Sequence, residues 1–270
     1  MSHSTDVRTG VRVSYEDDWF GPPWQQGVPI VLVHGQAESS IAWNQWVPHL
    51  SGSFRVIRTD LPGFGKSPVP DTYTWTTAEL AGDIVRLLDI LRIDRFHLVG
   101  AKYGGSTSLQ LAADFPDRVL SLCVFGSPAR GHGSGLRANL GSVPDRIRAV
   151  GVRGWAAESQ ASRLGPGAPP EQIQWWTDEL MGKADQRSSL GLSIAVTTLN
   201  LEERMGDIKA PTLVVTTEDS PLQSSAAART YQERIPNSKL VVLPGDCFHI
   251  AAVRPHECAE LVLNFIRTLP

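Results

Sequence analysis

Between His97 and Gly105 the chain reads HLVGAKYGG. Apolar, β-prone residues run up to Gly100 and a helical pattern begins near Tyr103, so position 102 falls at a strand-to-helix corner. Gly100 and Gly104 flank that position two residues away on either side. This spacing suits a turn so sharp that a Cβ on either flank would clash, and it holds residue 102 up in a strained conformation above a helix N-terminus. The residue is Lys102. Its side chain offers two chemistries: an ammonium clamps or polarises a developing oxyanion, and a neutral amine condenses with a ketone to a Schiff base. The second requires its pKa to fall from about 10.4, and both the helix N-terminus and an apolar cover push it down.

The elements that position this corner are legible in hydrophobic patterning. Pro29 to His34, Phe54 to Asp60, Phe96 to Gly100, Val119 to Phe125, Pro211 to Thr217 and Lys239 to Leu243 are short, β-branched and apolar on both faces, as buried parallel strands are. Val11 to Tyr15 reads as a further strand at the start. Thr76 to Ile93 opens with the capping box Thr76-x-x-Glu79 and sets Leu80, Ile84, Leu87, Leu88 and Leu91 on one face, predicting a helix laid on the sheet. Tyr103 to Phe115, Ser224 to Ile235 and Pro255 to Thr268 read as further helices. This alternation makes the chain α/β, with a mostly parallel central sheet flanked by helices. It breaks over residues 129–209, which are Gly/Pro-interrupted and helical in pattern. Ile147, Val150 and Trp155 in one stretch, and Ile173, Trp176 and Leu180 in another, recur at helical spacing. The expected organisation is a core of residues 1–128 and 210–270 with a helical cap inserted between two core strands, over the sheet end where ligands bind.

Several motifs in register resemble the α/β-hydrolase superfamily, in a branch with lysine at the nucleophile elbow. GAKYGG stands where the family has G-x-S-x-G, His34-Gly35-Gln36 follows the first parallel strand, Asp60 to Ser67 (DLPGFGKS) matches the family's DxPGxGxS turn, and LPGDCFHIAAVRPHECAELVLNF matches the segment of its catalytic histidine. The resemblance implies an α/β-hydrolase fold and assigns roles by position. Lys102 takes the place of the nucleophile and His249 that of the general base. The backbone N–H groups of Gln36 and Tyr103 would form the oxyanion hole, in a loop with His34 and Gly35. The family's acid falls on the loop after Pro211 to Thr217, at Glu218, Asp219 or Ser220, with Asp219 favoured. Phe248 replaces the usual glycine before the histidine and makes a bulkier wall. Trp43, Trp155, Trp175 and Trp176 could line an apolar pocket, although buried tryptophans are more often core.

A lysine cannot run the serine–histidine–acid mechanism, because its ammonium is no nucleophile and an acylated lysine is an inert amide. Ser106 and Cys247 read as packing residues, not substitutes. Four readings are open. Lys102 can act as a cationic clamp while His249, oriented by Asp219, activates water or abstracts a proton. It can act as a Schiff-base amine for C–C cleavage, decarboxylation or isomerisation. The protein can bind a ligand without turning it over, or Lys102 can merely fill the old pocket in a salt bridge. The expected substrate is a small carbonyl compound such as an ester, lactone or β-dicarbonyl.

Composition is consistent with a small-molecule partner. The chain has 270 residues and a formal charge of −3, with both signs scattered and no basic face for nucleic acid. No apolar run is long enough to span a membrane, and Met1 to Thr9 lacks the apolar stretch of a signal peptide, which points to the cytoplasm. Cys123, Cys247 and Cys258 are three in number, without zinc spacing, and are expected as free thiols. No ligand cluster or GxGxxG motif implies a metal or organic cofactor. His97 and His256 read as structural or surface residues.

Overall fold

The computed structural model describes residues 2–131 and 142–269. Its strands are β1 (Ser2–Arg8), β2 (Val11–Asp18), β3 (Val28–Val33), β4 (Phe54–Thr59), β5 (Phe96–Ala101), β6 (Val119–Phe125), β7 (Thr212–Thr217) and β8 (Ser238–Leu243). The helices are α1 (Val47–Leu50), α2 (Thr77–Ile90), α3 (Tyr103–Asp114), α4 (Val143–Leu164), α5 (Pro170–Trp175), α6 (Gln186–Thr197), α7 (Ser225–Gln232), α8 (Ile250–Val253) and α9 (Pro255–Arg267), with short 3₁₀ and π turns between. The strands join in one sheet in the order β1-β2-β4-β3-β5-β6-β7-β8. β1 and β2 are antiparallel to their neighbours, and β4 to β8 run parallel with β3 among them.

Period-2 alternation splits the parallel strands between two cores. Val31, Val33, Leu98, Leu122 and Val124 face one side, where Leu80, Ile84, Leu88 and Leu109 of α2 and α3 cover them. Ile30, Leu32, Val99, Cys123 and Phe125 face the other, against Leu50 of α1 and Val262 and Phe265 of α9. The chain leaves β3 for β4 on one side and later returns to β5 on the other. The crevice beyond the carboxyl ends of β3 and β5 is therefore the switch point at which such sheets bind ligands.

Two expectations need correction, and one strand goes beyond them. β1 is formed by the polar SHSTDVR, which as an edge strand needs no apolar face. Only half of the capping box forms at α2. The Thr76 side chain accepts from Glu79 N at 3.1 Å, but the Glu79 carboxylate goes to Arg8 of β1 at 2.7 Å. Within α4, Gly151 has φ 72° and breaks the helix. Ile147 and Trp155 are accordingly buried, and Val150, expected with them, is exposed.

The segment between β6 and β7 is helical, as its pattern predicts, although its residues 132–141 lie outside the described ones. Leu164, Trp176 and Leu180 of this insertion form a small apolar cluster with Ala252 of α8, and Ile173 packs against it.

Candidate active site

Lys102 sits between the end of β5 and the first turn of α3 with φ 54° and ψ −124°, a conformation rarely adopted by a side-chain-bearing residue. The flanking glycines explain how the corner closes. A Cβ on Gly104 would lie 2.2 Å from His34 O and 2.3 Å from Val33 O, and one on Gly100 would meet Ser108 Oγ at 2.5 Å. The elbow is thus pressed directly against the end of β3, which brings the loop after β3 to the lysine.

That loop supplies the partner. Glu38 is fully buried, and its carboxylate forms an ion pair with Lys102 Nζ, which is itself almost wholly buried. The same carboxylate accepts a hydrogen bond from Gly35 N at 3.0 Å and lies 3.2 Å from His249 Nε2. Gly35 is required by this approach, since a Cβ there would stand 3.0 Å from both Glu38 Oε1 and Lys102 Cε. Lys102, Glu38 and His249 are therefore one hydrogen-bonded unit at the switch point. Glu38 is absent from the expected site residues.

The charges follow from burial and contact. Burial pushes the Lys102 ammonium down to about 8 from its ordinary 10.5, against the pull of Glu38, and the nearby Arg163 cation adds to the fall. Burial alone would raise the Glu38 carboxyl, but His249 and Lys102 outweigh it and hold it well below the usual carboxylate range. Burial lowers His249, with Glu38 opposing and Lys102 and Arg163 assisting. At neutral pH the unit is an ammonium, a carboxylate and a neutral imidazole. A carboxylate can only accept, so His249 carries its proton on Nε2 and its lone pair on Nδ1. Nδ1 is buried and has no hydrogen-bond partner among the described residues.

The expected acid does not reach the histidine. Glu218 N and Asp219 N bond to Leu243 O and Gly245 O, each at 3.0 Å, and this turn leaves both side chains in solvent. Ser220 is the buried residue of the three, and its hydroxyl accepts from Gln223 N at 3.2 Å. The carboxylate bound to His249 is Glu38, from the opposite side of the site.

The remaining expected residues fall into two groups. His34 is structural: its Nδ1–H donates to Gly35 O at 2.7 Å and its Nε2 accepts from Leu61 N at 2.9 Å, which fixes a neutral tautomer and ties the loop after β3 to the turn after β4. That turn is built on buried Asp60, which accepts from Ser40 N and Lys66 N at 2.7 and 2.8 Å. Trp43 packs edge-on against Trp46 in the core, and Trp175 is exposed. Ser106 donates its hydroxyl to Pro128 O at 2.6 Å, and burial pushes the Cys247 thiol up, away from thiolate reactivity. All three cysteines are free and buried. His97 contacts Ser121 Oγ, and exposed His256 meets His49.

Trp176 and Phe248 do stand at the site. The Trp176 indole lies edge-to-face on the His249 ring, 5.0 Å between centroids. The Phe248 ring has the Lys102 ammonium 5.7 Å from its centroid and the Arg163 guanidinium 5.2 Å away, and Arg163 also covers Trp155 at 4.6 Å. Arg163 O accepts from His249 N at 3.0 Å. Gln36 reaches the insertion, donating to Ser189 O at 2.9 Å and to Ser193 Oγ. Neither the N–H of Gln36 nor that of Tyr103 has a hydrogen-bond acceptor among the described residues. Among those residues no three His, Cys, Asp or Glu side chains gather to hold a metal ion, and no helix is long and apolar enough to cross a membrane.

Comparison with known proteins agrees with this architecture. Residues 28–150 match the sequence profile of the alpha/beta hydrolase fold. RutD of Variovorax paradoxus, a protein named as a carbamate hydrolase, is 30% identical over 227 residues, 81% of this chain and 84% of its own. The pimeloyl-[acyl-carrier protein] methyl ester esterase of Aeromonas hydrophila is 26% identical, covering 89% of this chain and 96% of its own. Among solved structures, the enol-lactonase from Burkholderia xenovorans superposes with a TM-score of 0.85 at 22% identity, covering 98% of this chain and all of the other. With its sheet order, its strained elbow and a relative matched over most of both lengths, this chain is an enzyme of the α/β-hydrolase family.

Proposed function

We infer that this enzyme hydrolyses a small carbonyl compound, an ester, lactone or β-dicarbonyl, without a serine nucleophile. The observation that carries this reading is the buried Lys102–Glu38–His249 unit at the elbow. Glu38 holds Lys102 as the cation, and the ammonium, with the N–H groups of Gln36 and Tyr103, stabilises the oxyanion of the substrate. His249, held by Glu38 through Nε2–H, takes the proton of the attacking water as the water oxygen bonds to the carbonyl carbon. When the tetrahedral intermediate collapses, that proton goes to the departing alkoxide or enolate. The helical insertion serves as a cap, and Trp176 and Phe248 exclude bulk water from the imidazole and the ammonium. The carbamate hydrolase and methyl ester esterase relatives are named for reactions at acyl carbonyls, in keeping with this substrate class.

A second reading rests on the lowered pKa of Lys102, about 8. With its proton released to solvent, the free amine would add to a ketone and lose water, giving an iminium that draws electrons from a breaking C–C or C–H bond. The two are separable. Lys102→Ala should lower kcat/KM toward a panel of esters, lactones and β-diketones by about a hundredfold to a thousandfold, the scale of one lost oxyanion donor. Borohydride added during turnover should leave the protein mass unchanged; a substrate adduct on Lys102 would favour the Schiff base. A fluorophosphonate probe should fail to label the chain, and labelling at Ser106 would overturn both.

A further inference from the structure

The loop after β3 is gripped from two sides. Glu38 points into the elbow, where Lys102, His249 and Gly35 N hold it. Two residues earlier, Gln36 points the other way and uses both protons of its amide on α6: one goes to Ser189 O at 2.9 Å, the other to Ser193 Oγ. The Ser193 hydroxyl in turn donates to Ser189 O at 2.6 Å, so it is oriented with its lone pairs free for Gln36. Ser189 and Ser193 are buried, and they lie 153 and 157 residues along the chain from Gln36. Between the two grips stands Ala37 with φ 58°, one of the few non-glycine residues in the left-handed region. An alanine holds that conformation only where its neighbours are pinned.

From this geometry we propose that Gln36 is a positioning residue that couples seating of the helical insertion to assembly of the oxyanion hole. The coupling rests on the reading of the Gln36 backbone N–H as an oxyanion donor. That N–H belongs to the residue whose side chain is fastened to α6, and the next residue is the strained one. With the insertion seated, the Gln36 amide and Glu38 fix both ends of Ala37, and the N–H is directed toward the elbow. With the insertion lifted, both acceptors on α6 are withdrawn together, Ala37 is pinned from the Glu38 side alone, and the donor loses its direction. The insertion also grips His249 through Arg163 O and Trp176. Seating therefore organises the oxyanion donor and the base in one movement.

The test uses the full chain, wild type against Gln36→Met and Ser193→Ala, with Ser193→Thr as the conservative variant that keeps the hydroxyl. Hydrogen–deuterium exchange followed by mass spectrometry is read at 34–38 and at 186–197, alongside kcat and KM for whichever ester or lactone the wild type turns over. Both disruptive variants should exchange faster in both segments together, and kcat should fall about tenfold to a hundredfold, the scale of a misplaced catalytic group, with KM within about twofold. Ser193→Thr should restore both readouts. Ser193→Ala lies away from the elbow, so it keeps the test open if Gln36→Met fails to fold. Faster exchange in one segment only, or no change in either, overturns the coupling; so does looser exchange with unaltered kcat. Should the wild type hydrolyse no member of the panel, the hydrolase reading fails, while concerted exchange in the two segments still decides whether the latch exists.

Discussion

Lys102 and Glu38 make an ion pair with almost no access to water. Breaking such a pair from one side leaves a buried charge alone, so Lys102→Met should cost about 3–5 kcal/mol in urea unfolding. Combining it with Glu38→Gln should recover most of that, because the amide still accepts from Gly35 N and His249 without carrying charge. A double-variant loss equal to the sum of the Lys102→Met and Glu38→Gln losses would show that the pair is not coupled. The same lysine sets the pH profile. If it works as a cation, kcat/KM falls about tenfold per unit once pH rises past about 8, and a Schiff-base amine gives the opposite slope. The acid limb should lie below the ordinary histidine range, because burial lowers His249. At this scale the sequence was only partly legible. Lysine at the elbow and His249 are read directly from motif spacing. Glu38 was missed because no motif assigns a carboxylate there, yet a lysine buried at a corner demands a counter-charge, and HGQAES offers one acid. Asp219 was a positional assignment that the exposed turn after β7 does not honour.

Among the elements, the legible ones are those whose burial imposes a period. β3 to β7 show as apolar runs because both faces are covered, and α2 shows as a stripe. β1 gives no such signal at the edge of the sheet, and the single turns α1 and α8 are too short for any periodicity. The elbow is the most constrained junction between elements. Gly104→Ala would drive a Cβ into two backbone carbonyls of β3 and its loop, atoms that cannot yield without opening the β3–β5 pairing. A loss of about 3 kcal/mol is expected, seen as a lower midpoint in thermal or urea unfolding, with activity lost in the folded fraction. An unchanged midpoint would mean that the corner is looser than its φ of 54° requires.

For the molecule as a whole, the buried ionisable groups of the site tie stability to pH in one direction. His34 and His249 have pKa values lowered from 6.5 by burial, and Glu38 is held well below 4.5 in the folded state by the charges that outweigh its burial. Each binds more protons unfolded than folded within its own window. Their contributions are present at pH 7 and fade as pH falls, first below about 6.5 for the histidines and then below about 4.5 for the carboxylate. Lys102, lowered from 10.5 to about 8, shifts stability the same way, upward between those two values. The urea midpoint should therefore drop steadily from pH 7 to pH 4.5, and a flat profile across that range would contradict the charge states assigned to the site.

The indole that leans on His249 has a use of its own. A protonated imidazole quenches an adjacent indole far more strongly than a neutral one, and Trp176 touches that ring edge-to-face at 5.0 Å. The difference in emission between wild type and Trp176→Phe, followed across pH, is thus an optical titration of the histidine inside the intact enzyme. It needs no substrate, so the protonation state of the site can be followed while the compound it acts on is still being sought.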